Sequence, residues 1–330
     1  MKKFSLIITL GLLALAIIWF YQFYVGALNF SLNPDSDNRV IVNIENGSSA
    51  DTVAQILYEK GLIKSPLIFK LYLKQNKMAD KIKAGRMVLQ ENFNMKQIAD
   101  ALVSGKSSEI ATTIIEGWNI KQIADYLEEI GLTKAVDFIN CANTCKFDFD
   151  FLPKDYLEGY LYPDTYFVNP GTYSDKGFIQ RMILTLKNKL TDDDWNAINT
   201  CKHSFEQIMI MASIVEKEER DSNERPTVAG ILWDRFDNDV GLGADATILY
   251  ALGRTKGGLT YNDLQVDSPY NTRKYRGLPP TPICSPSITS IHAAIYPKKT
   301  DYFYYLHDSD GLVHYAKTLD EHNENKAKYL

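Results

Sequence analysis

The stretch Ser204–Arg220, SFEQIMIMASIVEKEER, changes character abruptly at Glu216. Ser204 followed three residues on by Gln207 is a reciprocal cap that satisfies first-turn backbone donors, so the spacing predicts a helix starting there. Ile208–Val215 then supplies eight uncharged residues, two turns with no wet face. A helix apolar all round must be enclosed by protein. Glu216, the first carboxylate after it, therefore stands at the rim of a core, above Ala212 and Ser213. Burial disfavours a charged carboxyl, lifting a glutamate from about 4.3 toward the roughly 6 to 7 that suits proton donation near neutrality. The same residues also read as the solvated end of a core helix, and spacing does not choose among Glu216, Glu218 and Glu219.

Around that helix lies a chain of 330 residues, long enough for about two domains. Apolar residues make up 45% and charged residues 23%, ordinary for a globular protein, and a net charge of -5 argues against nucleic acid as a partner. Cys141 and Cys145, in the turn-like CANTC, are close enough to pair, while Cys201 and Cys284 stand alone. No Cys-x-x-Cys or His-Glu-x-x-His occurs and the five histidines are scattered, so neither a metal site nor a cofactor is expected.

Lys2 and Lys3 precede an uncharged run from Phe4 to Leu28 that ends among Trp19, Phe20, Tyr21, Phe23 and Tyr24. About 20 apolar residues span a bilayer, Lys and Arg stay on the cytoplasmic side, and Trp and Tyr mark an interface. The run exceeds the 7 to 15 residues or so of a signal-peptide core and no small-x-small cleavage site follows. Residues 1–28 are thus expected to be a single-pass anchor in the cytoplasmic membrane, N-terminus inside, with the rest extracytoplasmic.

After a linker over 29–38 the chain repeats itself. Asn94–Leu102, NMKQIADAL, is nearly restated as Asn119–Leu127, NIKQIADYL, with Ser49–Leu57, SADTVAQIL, a looser third copy. Each copy follows an extended segment, Val40–Ile44, Arg86–Leu89 and Thr112–Ile115, giving strand, turn and amphipathic helix. Over 39–108 this resembles the LysM-type glycan-binding modules, in which short helices pack on a small sheet. A packing spacer is the other reading of the same segment.

From about Ile110 the chain is richer in aromatics and loops. Glu158 and Asp164 sit among tyrosines in LEGYLYPDTY, 157–166, and Asp245 and Thr247 follow glycines near Leu242. Lys176–Leu190 and Pro226–Phe236 read as helices, Tyr302–Leu306 and Leu312–Ala316 as a hairpin, and Thr318 with Glu321 caps a last helix.

Together Glu158-Gly-x-Leu-x-Pro-Asp-Thr-Tyr166, Ala212-Ser-Ile-Val-Glu-Lys-Glu218, Tyr270-Asn-Thr272, Gly277-Leu-Pro-Pro280 and Glu321-His-Asn323 resemble the YceG-like endolytic murein transglycosylases, the MltG family. The resemblance covers nearly the whole chain. It implies an α+β protein: a transmembrane helix, a small LysM-like α/β module, and a larger mixed α+β catalytic domain over 109–330. The activity it implies is that of a lytic transglycosylase, a carbon–oxygen lyase that cuts nascent peptidoglycan strands at the β-1,4 bond after N-acetylmuramic acid and leaves 1,6-anhydro ends. It implies Glu216 as the acid, and peptidoglycan strands and peptidoglycan synthases (penicillin-binding proteins) as partners. Glu158, Tyr166, Ser213, Asp245, Thr247, Tyr270, Asn271 and His314 are the accompanying candidates for holding substrate. Ala246, Arg273, Thr281 and Cys284-Ser-Pro-Ser287 depart from the family's usual residues, all in loops. A lysozyme-like hydrolase pairing Glu216 with Asp245 or Asp164, and a glycan-binding scaffold without chemistry, are the competing readings.

Overall fold

The computed structural model describes residues 2–36, 38–105 and 109–330, with the side chains of 2–9 excepted. They form a mixed α+β protein of thirteen α-helices and six strands in three two-stranded sheets. The chain falls into two compact units that divide at Thr112/Thr113, and Tyr166–Tyr173 groups with the first.

The first unit opens with α1 (Lys2–Leu28), continues through β1 (Arg39–Ile44), α2 (Ala50–Glu59), α3 (Pro66–Gln75), β2 (Gly85–Gln90) and α4 (Met95–Ser104), and reaches β3 (Ile110–Thr113). The strands β1 and β2 pair antiparallel, Arg39 opposite Gln90 through Ile44 opposite Gly85. Alternation puts Val42 and Ile44 of β1 on the buried face, where they meet Val53 and Leu57 of α2, Phe69 and Leu73 of α3, and Ile98 and Leu102 of α4. Ala27 and Leu28, at the end of α1, join that core, and Tyr24 Oη donates to Gln75 Oε1 at 2.7 Å. Leu10–Leu28 is the one helix among the described residues long and apolar enough to cross a membrane.

The second unit carries α5 (Ile120–Glu129), α6 (Ala135–Thr144), α7 (Asp175–Lys189), α8 (Asp192–Thr200), α9 (Phe205–Glu218), α10 (Arg225–Asp237), α11 (Asp245–Ala251), α12 (Ile288–Ile295), β5 (Tyr304–His307), β6 (Val313–Ala316) and α13 (Leu319–Tyr329); β4 (Thr165–Val168), which lies between α6 and α7 in the chain and pairs with β3, groups with the first unit from Tyr166 on. Each of the three expected strand-then-helix repeats is present, as β1–α2, β2–α4 and β3–α5. Cys141 and Cys145 are bonded to each other across the last turn of α6.

Helix α9 is the core of this unit. Its capping box closes as expected, Ser204 Oγ accepting from the Gln207 N–H and Gln207 Oε1 from the Ser204 N–H, and all eight residues from Ile208 to Val215 are buried. They pack against α10, α11 and α12. The end of α12 and the chain after it are stitched along α10: Trp233 Nε1 donates to Ala294 O at 3.0 Å, the Lys298 N–H to Pro226 O at 2.9 Å, and Arg235 Nε to Phe303 O at 2.9 Å. Gly230 lies between them, and a Cβ there would come within 2.2 Å of Lys298 O. Only glycine allows so close a backbone approach.

Candidate active site

Side chains two apart on a helix point about 200° apart, so Glu216 and Glu218 leave α9 in different directions. Glu216 turns into protein. Its side chain is 6% exposed, Oε1 accepts from Arg225 Nη2 at 3.1 Å, and Oε2 accepts from the Ser287 N–H at 2.8 Å and Ser287 Oγ at 2.5 Å. Arg225 is the first residue of α10 and Ser287 the N-cap of α12. The same guanidinium donates to Ser287 Oγ, Thr289 Oγ1 and Glu219 O. A buried ion pair persists when its remaining polar positions are also bonded, and here both carboxylate oxygens are. Glu219 is likewise engaged, with His307 Nε2 at 2.9 Å.

Glu218 is the last residue of α9 and turns into a groove. Tyr305 Oη donates to its Oε2 at 3.0 Å. Burial pushes this carboxyl above the ordinary glutamate range; the Tyr305 hydroxyl, His307 and the Ala246 N–H pull against the rise, while the Asp245 charge adds to it. Glu218 and Asp245 line two cavities at once. One, of about 280 Å³, continues to Asn119, Gln122, Tyr250 and Arg254; the other, of about 510 Å³, continues to Arg235, Tyr304, His307 and His322. The groove therefore passes the Glu218 carboxyl on both sides, and its walls mix aromatic faces with hydrogen-bonding groups, as a sugar chain requires.

The other candidate residues fall into distinct places. Asp245 is in the groove, its Oδ1 held by Arg273 Nε and Nη2 at 2.8 and 2.7 Å. Tyr270 stands behind the wall, its ring 4.9 Å from that of Tyr250 and its hydroxyl 2.8 Å from Thr281 Oγ1. Glu158 is buried and ties two parts of the wall, accepting from the Ile120 N–H at the start of α5 and from Tyr250 Oη, both at 3.1 Å. Burial raises its carboxyl to about 7 against those donors and the Gly159 N–H. Ser213 and Thr247 are fully buried: Ser213 Oγ donates to Ile210 O and accepts from the Ile283 N–H, and Thr247 Oγ1 donates to Ala244 O. Asn271, also buried, donates to Leu264 O and Val266 O, bracing its loop. His314 pairs with Asp308 at 2.7 Å and stacks on Tyr329. Asp164 pairs with Lys189 at 3.1 Å. Tyr166 is buried and belongs to the first unit. The second unit's groove thus brings together Glu218 and Asp245, with Glu158 and Tyr270 behind it. Tyr305, Arg225 and Arg235 were not singled out in the sequence; each is set by contacts distant along the chain.

The YceG-like family model matches residues 42–328, and the chain belongs to that family. It is 35% identical over 323 residues to the endolytic murein transglycosylase of Bacillus subtilis (strain 168), covering 93% of this chain and 89% of the relative. The endolytic murein transglycosylase of Streptococcus pneumoniae serotype 2 is 31% identical over 360 residues, covering 99% of this chain and 64% of that protein. Among solved structures, a crystal structure of a yceG-like protein from Listeria monocytogenes superposes with a TM-score of 0.60 at 34% identity, covering 88% of this chain and 99% of that one.

Proposed function

We propose that this protein is an endolytic murein transglycosylase, and that Glu218 is its general acid and base. The activity follows from relatives of that name aligned over most of the chain. The observation that supports Glu218 is that, of the glutamates ending α9, it is the one lining the groove, with burial favouring its protonated form. The protonated carboxyl donates to the glycosidic oxygen as the C1–O bond breaks. The C6 hydroxyl of the same muramic residue attacks C1, forming the C1–O6 bond of the anhydro ring, and its proton passes to the carboxylate. Because that nucleophile is already tethered, no second carboxylate is needed to direct water. Asp245, held by Arg273, is left to orient substrate and to keep Glu218 protonated.

Glu216, the residue the family resemblance implies, remains the second reading, supported by its place in the motif. Arg225 and Ser287 hold both of its oxygens, so it reaches a glycosidic oxygen only if a bound strand frees it from them. Cleavage of uncrosslinked strands by Glu216→Gln and Glu218→Gln, followed by mass spectrometry, tests both. Anhydro ends from wild type, lost in Glu218→Gln, support the proposal; reducing ends, one water heavier, point to the hydrolase instead. The first unit's strand–helix–helix–strand order, with β1 beside β2, supports a LysM-like role in glycan placement. The apolar α1 supports a membrane anchor with its lysines inside and the groove outside. Synthases that make the strands are the partners such a placement suits.

A further inference from the structure

The 510 Å³ cavity beside Glu218 is lined by Arg235, Arg273, His307, His322 and Lys326 as well as by Tyr304 and Tyr305. Arg273 is matched by Asp245. Arg235 is held differently: Nε donates to Phe303 O and Nη1 to Leu242 O, both at 2.9 Å, and its guanidinium carbon lies 5.3 Å from the Tyr304 ring centroid. Carbonyl partners fix the group without cancelling its charge. Lys326 is an exposed residue of α13, and among the described residues no carboxylate forms an ion pair with it or with Arg235. One turn before Lys326, His322 stacks on Tyr304 at 5.2 Å, and its buried Nδ1 has no hydrogen-bond partner among the described residues. Burial first, then the charges of Lys326 and Arg235, hold His322 below the ordinary histidine range. All three side chains line the same cavity.

Two cations without direct counterions thus converge on a cavity that His322 also lines and whose shared carboxyl, Glu218, is driven toward neutrality by burial. Such a site attracts an anion and offers it charge-assisted hydrogen bonds. Under the transglycosylase reading, on which this inference rests, an anion belongs there. The lactyl ether of muramic acid sits on the ring whose C1–O bond breaks, so the attached peptide leaves the strand one ring's width from the acid. We propose that this cavity is an anion subsite that receives a carboxylate of the peptide borne by the muramic residue at the cleaved bond. The enzyme then favours strands that still carry peptides over stripped ones.

The test is calorimetric titration of the full chain in detergent with N-acetylmuramoyl-L-alanyl-D-glutamate, its dimethyl ester, and inorganic phosphate. The expected result is that the diacid binds about tenfold more tightly than the ester, a difference near 1.4 kcal/mol, and that Lys326→Glu removes the difference while Lys326→Arg keeps it. Lys326 is exposed, so neither variant threatens folding. Equal binding of acid and ester, or a preference unchanged in Lys326→Glu, overturns the subsite. Phosphate binding as tight as the diacid and equally dependent on Lys326 assigns the cavity to a phosphate polymer instead and overturns the peptide assignment. Binding requires no turnover, so an inactive protein that still prefers the diacid would sink the proposed function while leaving the subsite in place.

Discussion

Arg225 Nη2 donates to Glu216 Oε1 at 3.1 Å with side chains 8% and 6% exposed, and this pair fastens the end of α9 to the starts of α10 and α12. A carboxylate so placed organises the fold around the groove. Removing one partner of a buried pair leaves the other charge uncompensated, at a cost of about 3–5 kcal/mol, whereas replacing both with apolar residues is often neutral. Glu216→Ala is therefore expected to destabilise by that amount, and Glu216→Leu with Arg225→Met to recover most of it. Denaturant unfolding of the four proteins in the cycle decides; a stable, inactive Glu216→Ala would return the chemistry to Glu216.

Glu218→Gln keeps the shape of the side chain but removes the titrating proton. Turnover should fall by about 10²- to 10⁴-fold, the usual worth of general acid–base catalysis, with unfolding unchanged and strand binding retained. Single-turnover rates alongside binding constants separate those effects. Tyr305→Phe, which removes the hydroxyl stabilising the charged form, should move the alkaline limb of the kcat profile, above which the acid has lost its proton, upward in pH.

Glu158 gives the fold a pH dependence of determinate sign. Its carboxyl is raised to about 7 in the folded chain, against about 4.3 unfolded. Below the unfolded value both states hold the proton; between the two values only the folded state does; above about 7 neither does. Stability from this group is therefore present at low pH and is lost as pH rises from about 4.3 to about 7, by roughly 4 kcal/mol. Glu158→Gln does not titrate; its Oε1 can still accept from the Ile120 N–H, while its Nε2 can donate to Tyr250 Oη once that hydroxyl turns, so its stability should be flatter over that window. Parallel slopes in the two proteins across that range would refute the assignment.

Ser213 tests whether a motif residue touches substrate. Its hydroxyl accepts the Ile283 N–H at 3.0 Å inside the core. Ser213→Ala leaves that donor buried and unsatisfied, a loss of about 1–3 kcal/mol, and should leave KM for strands as in wild type. A raised KM at unchanged stability would move Ser213 into the groove.

Local signals carried far into the fold. The Ser204–Gln207 cap, the enclosure of Ile208–Val215, the three strand-then-helix repeats and the Thr318–Glu321 cap all depend on spacing within a few residues, and all are present. The helices α3, α8 and α12 escaped although Ser65-Pro66, Thr191 with Asp194, and Ser287 mark their starts; their apolar faces are too short for periodicity to announce them. What the sequence could not rank was the three glutamates after Val215. Direction decides that, and direction is set by Arg225, Ser287 and Tyr305, which lie 9, 71 and 87 residues from their carboxylate partners.

The close approach of Gly230 to Lys298 reaches further than the contact itself. Between Pro226 and Arg235 the α10 surface works as a ruler against which residues 294–303 are laid, and β5, which brings Tyr305 to Glu218, begins where the ruler ends. A methyl group at 230 has nowhere to go but into the Lys298 carbonyl, so the downstream chain would lift or slip. A slip by one residue would turn Tyr305 to the opposite face of its strand. The tuning of the acid is thus a matter of alignment, fixed by a residue with no side chain at all and no place in the groove.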